Sequence, residues 1–223
     1  MRAVANTRVP GIYARPPKRK RPFPALHFIY ESVVHNKKRL KTDFTNIKYL
    51  RRGNERQKRA YAELTKLSIF EHLQDFKPIL TGTIPIGVDL PESDLDIICQ
   101  CSNHLKFTET LNSLYSNKKN YQVRTSSWND LESTIATFQS GEFEVEIFGQ
   151  DCPTKNQNAY RHMIIEHRIL NSEDDKFKAE IIQLKQEGLK TESAFARALG
   201  LHGNPYEELL KFEKQKLHAI KCS

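Results

Sequence analysis

The chain has 223 residues, 38 % of them apolar and 28 % charged, a balance that excludes a fibrous or wholly unfolded protein and leaves room for a substantial core. No apolar run approaches the roughly 18 residues of a membrane-spanning helix, so no membrane partner is expected. The net charge of +8 is unevenly spread: residues 1–42 hold 11 Lys/Arg and one acid, Glu31, while the other 181 residues hold 24 Lys/Arg and 26 Asp/Glu, a net of −2. The basicity therefore belongs to a leader. Nucleic acid stays a possible partner, but the charge of the remainder does not indicate it.

The leader contains Arg15-Pro16-Pro17-Lys18-Arg19-Lys20-Arg21-Pro22, a run too rich in proline and charge to pack. It lacks the apolar stretch of a secretory signal and is read as disordered, with a nucleic-acid-binding arm as the alternative. From Asp43 the pattern becomes globular, with a core expected over 43–153 and a helical region over 154–223 packed on it. Ala60, Tyr61, Leu64, Leu67, Phe70 and Leu73, spaced by three and four, predict one amphipathic helix over 54–76. Pro78 ends it, and Ile79-Leu80 begin a short strand. Residues 81–93, with two Gly and two Pro, form a turn and loop. A strand over 95–101 and a helix over 107–115 follow.

Three further strands are expected over 121–126, 133–138 and 142–148, the last two joined in hairpin fashion through Gln139-Ser140-Gly141. Helices then cover 157–170 and 177–187, the second closed by Gly188 as a C-cap, with shorter ones over 191–199 and 205–212. This order predicts an α+β fold: a mixed β-sheet flanked by helices, with a helical C-terminal tail. Cys99 and Cys101 fall on one strand, while Cys152 and Cys222 stand apart. Without a second pair or histidines at finger spacing, they predict small core residues in a reducing cytosol, hence a cytoplasmic protein, rather than a zinc site. Trp128, at a strand end, reads as a partly buried aromatic rather than a base-stacking platform.

The segment from Gly82-Thr83 to Asp94-Leu95-Asp96 carries the chemistry. Strand alternation puts Asp94 and Asp96 on one face, roughly 7 Å apart. Two such carboxylates repel one another unless a cation lies between them. Magnesium takes oxygen ligands, commonly one or two carboxylates completed by substrate phosphates. The Gly82-Thr83 turn offers backbone N–H groups and a hydroxyl to phosphate oxygens. On the 142–148 strand Glu142, Glu144 and Glu146 share a face, and periodicity does not choose among them. For Glu142 the solvated face of an edge strand is the better reading. Glu146, nearest the Phe148-Gly149-Gln150 end, is preferred as a third acid, with Glu144 second. On the 157–170 helix Asn158, His162 and Glu166 recur every four residues, with Arg161 beside them. The bland reading of that stripe is the wet side of a helix; the functional one gives Arg161 and His162 to substrate phosphates or base. Lys155 and Lys190 are weaker candidates.

Gly82-Thr83, ten residues, and Asp94-Leu95-Asp96, with an acid on a later strand, resemble the nucleotidyltransferase superfamily that includes DNA polymerase beta. Thr83 stands where a Ser is usual. The runs 146–150, 157–163 and 188–192 are similar to those of an uncharacterised bacterial family, catalogued only as a domain of unknown function with a nucleotidyltransferase-like core; that likeness covers 43–210. The resemblance implies an enzyme that moves a nucleoside monophosphate from a nucleoside triphosphate to an unidentified acceptor. Asp94, Asp96 and Glu146 would be catalytic residues holding two Mg2+ ions, and Gly82, Thr83, Arg161 and His162 would bind substrate. The alternative is an inactive nucleotide- or protein-binding module. A glycosyltransferase is disfavoured because its Asp-x-Asp usually ends a strand.

Overall fold

The computed structural model describes residues 42–128 and 131–211. The basic leader, Cys222 and the Trp128 side chain thus lie outside the described residues. A 3-10 turn at Lys48–Arg52 leads into helix α1, Glu55–Lys66. Its start is fixed reciprocally: the Asn54 side chain accepts from the Gln57 N–H, and the Gln57 side chain accepts from the Asn54 N–H.

The single helix expected over 54–76 is broken. Ser68 adopts a left-handed conformation (φ 51°), and the chain resumes as a short helix α2, Ile69–His72, and a 3-10 turn, Gln74–Phe76. That one residue shifts the helical phase. Leu67, Ile69 and Leu73 are all buried, while Phe70 is only partly so. Spacing alone does not reveal a phase shift that preserves an apolar face.

Five strands follow: β1 (Ile79–Thr81), β2 (Leu95–Gln100), β3 (Lys119–Trp128), β4 (Leu131–Ser140) and β5 (Phe143–Gln150), with helix α3 (His104–Tyr115) between β2 and β3. They form one mixed sheet in the order β1-β2-β5-β4-β3. Only the β2/β5 pair is parallel; the other pairs are antiparallel. The expected edge-strand face at 142–148 is corrected by this order, since β5 lies between β2 and β4. Glu142 instead sits in the β4–β5 turn and pairs with Arg56 at 3.5 Å and with Arg59.

Alternation divides the two faces. Leu95, Ile97 and Cys99 of β2 and Phe143, Val145 and Ile147 of β5 join a core completed by Leu64 of α1 and Phe107, Leu111 and Tyr115 of α3. Gly149 lies on this face, where an added Cβ would fall on the Phe107 ring, so a strand otherwise rich in side chains must carry glycine there. Asp96, Glu144, Glu146 and Phe148 project from the other face.

The C-terminal region supplies α4 (Asn158–Ser172), α5 (Asp175–Gln186), α6 (Thr191–Ala198) and a helical stretch over 205–211. Met163, Ile169, Ile181 and Phe195 of these helices form a second cluster with Phe44, Ile86 and Val88. The β1–β2 loop is therefore an anchor for the tail as well as a connection. Among the described residues, no helix is long and apolar enough to cross a membrane.

Candidate active site

The pairing register brings the predicted acids together. Thr81 of β1 lies opposite Asp96, and Asp96 lies beside Glu146 of the parallel neighbour β5. Asp94 is the last residue before β2 and shares the Asp96 face. Glu144 is one step further along β5, exposed, and accepts a hydrogen bond from Gln139 at 3.1 Å. Of the two candidates for a third acid, Glu146 is thus the one set directly against Asp96.

The loop before β2 is held from several sides. Gln57 donates to the carbonyls of Ile84 (2.8 Å) and Pro85 (3.2 Å), Arg56 donates to that of Ser93 (2.9 Å) and pairs with Asp89 (3.3 Å), and Lys185 donates to that of Val88 (2.6 Å). These side chains satisfy backbone groups that a buried loop would otherwise leave unpaired. Gly82 has φ +80°, and an added Cβ would fall on the Asp96 carboxylate. Glycine is required there twice over, by backbone conformation and by close approach. The Thr83 hydroxyl lies 3.3 Å from the Ser93 hydroxyl at the rim of the same site.

Electrostatically the acids are only partly compensated. Burial, then the charges of Glu146 and Asp94, pushes Asp96 up to about 7. Asp94 is raised by burial and by Glu144, against the pull of Arg56. Glu146 is raised by burial, opposed by Arg124, and raised further by Asp94 and Glu144. Among the described residues, none of these three carboxylates has a hydrogen-bond or ion-pair partner; the nearby arginine, Arg56, is engaged by Asp89 and Glu142. Nor does any group of three or more His, Cys, Asp or Glu among the described residues stand close enough to hold one metal ion by itself.

Asp96 and Glu146 open into a cleft of about 700 Å3 that runs from the Gly82-Thr83 turn to the first turns of α4 and the start of α6. His162 lines it but is 5 % exposed; its Nε2 lies 3.0 Å from the Tyr206 carbonyl and its Nδ1 3.7 Å from Glu192. The wet-side reading of the stripe is therefore corrected: His162 and Glu166 are buried, because α6 and the 205–211 helix cover that face of α4. Arg161 is half-buried, donates to Asn158 at 3.4 Å and does not line the cleft. Lys155 and Lys190 are exposed. A second cavity, of about 580 Å3 between Tyr61, Phe70 and Pro153, is lined by Lys155 but by none of the other candidate residues.

Sequence reasoning missed Gln157, Lys185, Arg56 and Glu192. Gln157, at the N-cap position of α4, is 4 % exposed and donates through Nε2 to the carbonyls of Cys99 (2.9 Å) and Cys152 (3.0 Å), tying the helix to the end of β2. No local signal marks a glutamine whose partner is 58 residues away.

The geometry defines an α+β protein with an acidic, half-buried cleft behind a glycine turn. The chain belongs to the family described as Domain of unknown function (DUF4269), which matches residues 62–212. No curated protein matches it. Among solved structures it is similar to a cytoplasmic RNA terminal U-transferase (17 % identity, TM-score 0.40, 71 % of this chain and 43 % of that one). It is also similar to the Cid1 poly(U) polymerase (16 %, 0.40, 71 % and 46 %) and to a chain of the GLD-2/RNP-8 complex (12 %, 0.43, 77 % and 62 %). The chain thus covers less than two thirds of each of these chains. Likenesses of this size carry neither activity nor substrate across to it.

Proposed function

We propose that the protein is a metal-dependent nucleotidyltransferase, transferring a nucleoside monophosphate from a nucleoside triphosphate to an acceptor hydroxyl. The observation that carries the reading is the set of Asp94, Asp96 and Glu146, half-buried at the β2/β5 pair, with no hydrogen-bond or ion-pair partner among the described residues. Such a set costs the fold stability unless a cation binds, and groups of this kind cluster at functional sites. The residues fit a hard divalent ion such as Mg2+, which takes one or two carboxylates and completes its shell with phosphate oxygens and water, so a tight cage of three protein ligands is not needed. When bound, that ion would neutralise charge developing on the phosphates.

The chain's own part is positioning. The Gly82-Thr83 turn presents N–H groups and a hydroxyl to the triphosphate, and its close contact with Asp96 fixes the distance between phosphate and acid. In the transfer, the acceptor oxygen bonds to the α-phosphorus as the bond to the bridging oxygen breaks. Pyrophosphate leaves, and the acceptor proton passes to the Glu146 carboxylate. Incubation with each labelled nucleoside triphosphate and Mg2+ tests the reading. Wild type should release pyrophosphate and Asp94→Ala/Asp96→Ala should not; equal release by both would sink it.

A further inference from the structure

The cleft continues beyond the carboxylate pair to a second polar end, which the transfer chemistry leaves unused. There Gln157 and Glu166, each 4 % exposed, line the cleft, and each has a buried side-chain oxygen with no partner among the described residues. The Gln157 amide cannot be turned to relieve this. Its nitrogen faces two carbonyls, Cys99 and Cys152, so the amide is fixed with its oxygen turned away from them. Glu192 lies at the same end. The Nε2 of His162 donates to the Tyr206 carbonyl at 3.0 Å, and its Nδ1 faces Glu192 at 3.7 Å. Gln157 Oε1 can only accept, and Glu166 Oε1 accepts once its carboxyl is ionised.

Charge points the same way. Asp96, Glu146, Glu166 and Glu192 line the cleft, and no Lys or Arg is among its described lining residues. Lys185, buried nearby, donates to the Val88 carbonyl at 2.6 Å, and its charge offsets only part of that of the acids. A cleft of this sign is unsuited to a nucleic-acid backbone, whose phosphates require cationic partners. It suits a ligand that brings N–H donors and positive charge. A buried acceptor left unmade is costly, so groups of this kind are filled by a matching donor when the site is used.

We propose that the α4–α6 end of the cleft is the acceptor subsite, and that the acceptor is a small molecule recognised by an amino group held between Gln157 Oε1 and Glu166 Oε1, with Glu192 adding charge. This rests on the nucleotidyltransfer reading for the word acceptor, but the binding itself does not. The amine is the recognition handle, and the hydroxyl elsewhere on the same molecule receives the nucleotide. In the ligand-free protein, burial and Glu192 hold Glu166 up to about 8, a neutral acid awaiting a countercharge.

The test is calorimetric titration of the full chain, without metal or nucleotide, with spermidine, agmatine and glucosamine. Glucose is the neutral match for glucosamine, and a short single-stranded RNA is the competing class. At least one amine should bind, while glucose and RNA do not. The isosteric Glu166→Gln should weaken that binding about tenfold or more, the worth of one charged hydrogen bond. Glu192→Gln, isosteric and at a more exposed position than Glu166, should weaken it to a smaller extent. Asp94→Asn/Asp96→Asn should still bind the amine. Failure of all three amines, binding of RNA in their place, or equal affinity in both glutamate variants overturns the subsite. In each of those cases pyrophosphate release dependent on Asp94 and Asp96 would leave the transfer reading standing; conversely, the expected amine binding without turnover would sink the transfer reading and leave the subsite standing.

Discussion

Replacing Asp96 by Asn should stabilise the metal-free protein, and the size of the gain can be worked from its surroundings. Asp96 makes no side-chain hydrogen bond that Asn would forfeit, and the two residues are nearly isosteric. Raising its ionisation from 3.8 to about 7 costs the charged form roughly 4 kcal/mol, at about 1.4 kcal/mol for each tenfold change in proton affinity. Below about pH 4 the carboxyl is protonated in both folded and unfolded chains, so the two proteins should differ little. Between about pH 4 and 7 the unfolded chain sheds the proton and the folded one keeps it, so wild type loses stability steadily; above about 7 the loss is complete and levels off. The assay is thermal unfolding in EDTA from pH 4 to 8. At pH 8 Asp96→Asn should melt roughly 8–16 °C above wild type, given some 2–4 °C per kcal/mol for a chain of this length. Adding Mg2+ should narrow the gap by stabilising wild type alone. A variant that melts at or below wild type at pH 8 without metal would refute the claim that burial and the neighbouring acids hold the Asp96 carboxyl up.

The other expectations follow from the same contacts. Glu166→Gln should flatten the decline in stability that wild type shows as pH rises from about 4.5 to about 8, because the buried acid at 166 is raised over that window; an unchanged pH–melting profile would contradict it. Gly82→Ala should combine about 1–2 kcal/mol of left-handed strain with displacement of the Asp96 carboxylate. It should therefore abolish Mg2+-induced thermal stabilisation while the protein still folds by far-UV circular dichroism. Gly149→Ala drives a methyl into the Phe107 ring and should cost about 1–3 kcal/mol by chemical denaturation. Phe107→Leu in the same chain should recover part of that loss, and a purely additive double variant would show that the clash is not the cause.

How much could be read beforehand depended on range. Strands and helices with clean periodicity, such as β2, β5 and α5, were legible because burial of one face is written every second or every third and fourth residue. The glycine turn and the Asp-x-Asp were legible because their chemistry is local. The break at Ser68 was not, since a single left-handed residue leaves the apolar spacing intact. Nor was the burial of His162, because spacing shows that a face exists but not what covers it. Glu146 was preferred over Glu144 only for its place near the end of the strand; that it lies directly beside Asp96 follows from the parallel register of β5 and β2.

By itself, then, the sequence determined the alternation that puts Asp94 and Asp96 on one face, the Gly82 turn ahead of them, and the separation of a basic leader from a nearly neutral remainder. Tertiary structure decided which distant groups share the cleft: Glu146 through strand register, Gln157 through carbonyls at the end of β2, and Glu166, His162 and Glu192 through the packing of α6 against α4. The physical reason is that a carboxylate's neighbours 50 to 100 residues away leave no trace in local spacing. They are set by which faces bury one another, and that is resolved only when the whole core forms.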